Sequence, residues 1–105
     1  MPNALRGEIE ATIGGRTRVL CLTLGALAEL EARLGAGDLN GLAERFEKGR
    51  VSARDLAAII GAGLRGAGEP VSDEELMRMP VDGGVKGAAE IAARLLSATF
   101  GGDGE

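Results

Sequence analysis

Residues 5–22 read Leu-Arg-Gly-Glu-Ile-Glu-Ala-Thr-Ile-Gly-Gly-Arg-Thr-Arg-Val-Leu-Cys-Leu, and the fold class turns on them. Apolar or small residues stand at 5, 7, 9, 11 and 13, with polar ones between. Period two marks a half-buried strand, because successive side chains point to opposite faces. Gly14-Gly15 follows, a pair suited to the positive φ angles of a tight hairpin turn. Arg16 to Leu22 is then the return strand. A two-residue loop sets Ile9 opposite Leu20, and a three-residue loop sets it opposite Cys21; the residues allow both. The choice matters, since a slip of one residue exchanges the faces.

After Thr23 the period becomes helical. Leu24, Leu27, Leu30 and Leu34 form one stripe, with Glu29, Glu31 and Arg33 off it. Gly35 and Gly37 end this helix, and Asp38 can cap a second one carrying Leu39, Leu42, Ala43 and Phe46, which stops at Gly49. The strongest local signal comes next. Ser52 and Asp55 have capping-box spacing, and Val51 and Leu56 take the hydrophobic-staple positions. Leu56, Ile59, Ile60 and Leu64 follow at core spacing. The same start recurs at Val71, Ser72, Glu75 and Leu76, but Pro80 stops this helix near Met79. A last helix runs from about Val85 to Phe100, with Ile91, Leu95, Leu96 and Phe100 as its apolar face. The expectation is α+β: a hairpin followed by four to five short helices, one domain over 1–100, and a flexible tail at 101–105.

The 105 residues include no histidine, no tryptophan, no tyrosine and one cysteine. Ser–His and Cys–His nucleophiles, imidazole ligands and Cys-only metal sites are therefore excluded. The net charge is −4. Residues 1–22 hold three arginines against two glutamates, so the excess of acid lies in the rest of the chain. There is no basic patch of the kind nucleic acid or an anionic membrane requires. Arg16 and Arg18 before the uncharged run Val19–Ala28 imitate a signal peptide. The upstream Glu8 and Glu10 and the distance from Met1 argue instead for a strand followed by a helix. A cytoplasmic protein with a reduced Cys21 is expected.

Gly61-Ala62-Gly63-Leu64-Arg65-Gly66 matches G-x-G-x-x-G, yet it falls at the end of a capped helix and Pro70 follows soon after. It is expected to be a closely packed helix face rather than a dinucleotide loop. Asp73, Glu74 and Glu75 fit helix-start charge better than a cation loop. Glu29/Glu31 and Glu44/Glu47 read as solvated faces, with Glu44 and Lys48 as an i,i+4 pair. No catalytic, cofactor or metal residue is assigned, and no enzyme is expected.

The order of motifs does carry a resemblance. Arg6-Gly7-Glu8, Gly15-Arg16, and the run Leu20-Cys21-Leu22-Thr23-Leu24-Gly25-Ala26-Leu27-Ala28-Glu29-Leu30-Glu31 come first. Leu42 to Phe46, Ala57 to Gly66, Val71 to Glu75 and Ala92 to Leu96 follow in order. Together they resemble a family of small proteins of gene transfer agents and related prophages, described both as phage tail tube proteins and as tail assembly chaperones. The resemblance implies a role in tail morphogenesis, with the tail tube and tape-measure proteins as partners and self-association compatible with it. A chaperone suits the short strands and helical content better than a tube subunit; a structural tail component is the alternative. The residues expected to meet a partner are Val19, Leu76, Met77, Met79, Leu96 and Phe100. They suggest either the hairpin edge or a groove between the Leu76–Met79 helix and the Leu95–Phe100 end.

Overall fold

A computed structural model describes residues 7–34, 41, 44, 48, 49 and 51–100. The hairpin consists of β1 (Glu8–Ile13) and β2 (Arg16–Cys21) in an antiparallel pair. Its register sets Ile9 against Leu20, so the loop is the two-residue one. Gly14 and Gly15 have φ of 65° and 80°. Both values lie in the left-handed region, as a type I′ turn requires of its two central residues. This register turns Ala11, Ile13 and Leu20 into the core, with Ile9 packed at its margin. It also turns Arg18 inward. There the guanidinium Nε donates to the Ile13 carbonyl at 2.8 Å and one terminal nitrogen to Glu69 Oε1 at 3.0 Å.

Thr23 caps α1 (Leu24–Leu34): its Oγ1 accepts from the Ala26 amide at 3.1 Å. The buried residues of α1 are Ala26, Leu27 and Leu30. Leu24, expected in the apolar stripe, is 85% exposed instead. As the first helical residue it precedes the point where α1 meets the core. The helix expected from Asp38 to Gly49, with Leu39, Leu42, Ala43 and Phe46, lies largely outside the described residues, as does the tail at 101–105. Within it, the Lys48 amide donates to the Glu44 carbonyl at 3.1 Å, and their side chains form the expected ion pair at 3.5 Å.

The centre of the molecule is α2 (Ala53–Gly66), which touches α1, β2 and the two later helices. Ser52 and Asp55 form the capping box. Every residue from Leu56 to Leu64 is buried, so this stretch of the helix has no solvated face. It ends at Gly66, the last residue of the G-x-G-x-x-G match. Gly68 at φ 98° then allows its amide to reach the Arg65 carbonyl at 3.0 Å and the Glu69 amide to reach Leu64 at 2.9 Å. That pair of bonds is a Schellman motif.

A second capping box, Ser72 with Glu75, opens α3 (Asp73–Met77). It is one turn long and ends two residues before the expected Met79. The following loop returns to the hairpin: the Gly14 amide donates to the Pro80 carbonyl at 2.8 Å, and Val81 bridges Ile13. The last element, α4 (Gly84–Phe100), buries Gly87, Ile91, Ala92, Leu95 and Leu96 against α2 and β1. Arg94 of α4 donates to the Glu10 carbonyl of β1. The hairpin is thus docked on helices, which a two-stranded sheet needs in water.

Candidate partner-binding groove

Sequence and packing together build one apolar groove of about 300 Å³. Its floor is the first half of α2, with Leu56, Ala57 and Ile60. One wall is α3 and the residues after it, with Leu76, Met77 and Met79. The other wall is Val81, Val85 and Ala88, from the loop and the start of α4. No charged residue is among the described residues that line it. Met77 is 56% exposed and Val85 69% exposed, so two of the most exposed large apolar side chains face this groove. Exposed methionine suits a surface that must adapt to a partner's shape.

Three of the expected contact residues, Leu76, Met77 and Met79, are therefore brought together. The other three are not. Val19 is exposed on the outer face of the hairpin, and Phe100 is exposed at the far end of α4. Leu96 is 5% exposed and belongs to the core. This groove sets α3 against the start of α4, whereas the expected one set it against the Leu95–Phe100 end. The Arg78–Gly83 connection is short, and the start of α4 shares this lining with α3. Val85 was the missed residue. By spacing it stands in line with the buried Ala92 and Leu96, seven and eleven residues on, so the sequence carries no signal that sets it apart; its place in the first turn of α4 leaves it exposed.

Beside the groove the electrostatics are concentrated in four side chains. Arg65 of α2 meets Asp73 Oδ1 at 3.0 Å and Glu29 Oε2 at 2.6 Å. Arg33 of α1 meets Asp73 Oδ2 at 2.5 Å and Glu29 Oε2 at 3.3 Å. Glu29 is thus part of a closed ring, not simply a solvated face, and Asp73 is more than helix-start charge. Burial works against the Arg65 charge, but the hydrogen bond to Asp73 and the field of Glu29 outweigh it and raise its pKa above the ordinary value.

The glycine motif is a packing device. A Cβ on Gly63 would stand 2.6 Å from Leu95 Cδ2, and one on Gly66 would strike the Cys21 carbonyl oxygen. Gly61 leaves room for Asp73. None of the three opens onto a phosphate-sized cradle; each is filled by a neighbouring element. Cys21 is a half-buried thiol. Among the described residues no group of three or more Cys, Asp or Glu could hold a metal ion, and no helix is long and apolar enough to cross a membrane.

No curated protein and no solved structure matches the chain. A protein-family match covers residues 6–102, nearly the whole length, and is consistent with the motif order from Arg6 to Leu96. On that match the chain belongs to the family described as phage tail tube protein, GTA-gp10.

Proposed function

We propose that this member of the family acts as a tail assembly chaperone that binds the tail tube protein, the tape-measure protein or both before they polymerise. The observation that carries the reading is the uncharged groove with Met77 and Val85 exposed on its two walls. Such a surface binds apolar side chains without demanding one fixed shape. The strand content supports the same reading. Only two six-residue strands occur among the described residues, and they are largely committed to the molecule's own helices. A tube wall closes by continuous strand pairing, so a subunit must offer longer free edges than these. Nothing in the reading requires catalysis, a cofactor or nucleic acid.

The family's description as a tail tube protein favours the second reading, a stoichiometric component of the mature tail. Co-purification with tube and tape-measure proteins, followed by mass spectrometry of finished particles, separates the two. A chaperone is captured by the unassembled proteins and is scarce in particles. Tails of normal length formed in a strain lacking this protein would defeat the chaperone reading, and a fixed high copy number in particles would favour the structural one.

A further inference from the structure

A helix as short as α3 does not place itself, since isolated helices below about 12 residues are marginal in water. Two sets of contacts seat it. Leu76 and the preceding Val71 enter the core. At its first residue, the Asp73 carboxylate is gripped by Arg65 and Arg33, and both arginines also hold Glu29. The four groups join α1, α2 and α3 in one ring. Arg65 additionally donates to the Val71 carbonyl at 2.9 Å, so it holds the backbone leading into α3. Gly61 completes the seat, because a side chain there would collide with Asp73 Oδ1. The ring lies at the start of α3, whereas Leu76, Met77 and Met79 at and beyond its other end form the groove wall.

We propose that α3 is a hinged wall of the groove and that the Glu29–Arg65–Asp73–Arg33 ring is its latch. Screening or neutralising the ring frees α3 as a unit and widens the groove, while α2 stays folded. The four side chains remain 15% to 45% exposed, so dissolved ions reach them and weaken the latch. The latch belongs to the isolated chain and operates whichever partner the groove takes. Where the groove is the chaperone surface, binding to it becomes salt-dependent although no charge lines it.

The test is amide exchange of the full chain, resolved by residue with NMR, at low salt and at about 1 M NaCl, where screening acts over only about 3 Å. The reporters are the amides of Leu76, Arg78 and Met79, which donate to Ser72, Glu75 and Leu76. They should exchange faster than the amides of residues 59–64 in α2, which marks opening of part of the molecule. High salt should speed the reporters about tenfold, and Asp73→Asn should show the fast rate already at low salt. Fluorescence of an added apolar dye should rise in parallel. Reporters that keep step with α2 at every salt concentration would overturn the hinge, and reporters indifferent to both salt and Asp73→Asn would overturn the latch. Should the variant fail to fold, the salt series on the unaltered chain decides alone. Failure to capture tail proteins would count against the chaperone reading and leave these rates untouched.

Discussion

At the scale of single residues, two sites have an outcome opposite to the one their chemistry first suggests. Gly66 is the last residue of α2, and alanine is the better helix former. Its Cβ would nevertheless meet the backbone oxygen of Cys21, which no side-chain rotation relieves. Gly66→Ala should therefore cost about 2–3 kcal/mol, as overpacking does. Gly63→Ala meets mainly the far end of Leu95 and should cost less, about 1 kcal/mol. Urea denaturation of both variants checks the order. Arg18 and Glu69 supply the second case. The Arg18 side chain is buried, and that of Glu69 is partly in solvent. Glu69→Gln leaves a buried guanidinium without its anion and should cost about 2 kcal/mol or more. Arg18→Met removes the buried charge and lets Glu69 return to water, so it should cost less than about 1 kcal/mol. Equal losses for the two variants would refute that asymmetry. Arg65 behaves differently again. Its folded pKa is raised, so the stability it contributes is complete below its unfolded pKa and fades only as the pH climbs through the folded one.

At the scale of elements, the starts of the described elements were legible and their packing partners were not. Ser52 with Asp55 and Ser72 with Glu75 form the capping boxes that their spacing predicts. Ser52→Ala should lower stability by about 1 kcal/mol and the melting temperature by roughly 4–8 °C, followed by circular dichroism. The hairpin was recognisable from Gly14-Gly15 and the alternation around it, but its register depended on how its faces pack. Leu24 shows the same division. It keeps the spacing of its stripe and still stands in solvent, because α1 meets the core only from Ala26 onward. Glu29 is the converse: its sequence neighbours suggest a solvated face, and two arginines, one of them distant in sequence, make it part of the latch.

At the scale of the whole molecule, the groove and the hairpin face are alternative partner surfaces that substitutions can separate. Met77→Asp and Val85→Asp place charges on opposite walls of the groove at exposed positions. Each should change stability by less than about 0.5 kcal/mol, as surface substitutions do. Each should also weaken capture of the tail tube or tape-measure protein at least about tenfold, because an unpaired charge would be buried on binding. Val19→Asp on the hairpin should leave capture unchanged. The reverse pattern in a pull-down would move the partner surface to the strands.

The sequence by itself determined the local grammar of this protein: a hairpin at a Gly-Gly turn, helix starts at Ser52 and Ser72, and a short helix that ends ahead of Pro80. These depend on interactions between residues a few positions apart, and such interactions are written in spacing. Only the tertiary structure decided the hairpin register, the inward Arg18, the burial of Leu96, the Glu29–Arg65–Asp73–Arg33 ring and the wall that Val85 lends to the groove. Each of these depends on which elements pack together across the chain, and that depends on the packing of α2 against everything around it.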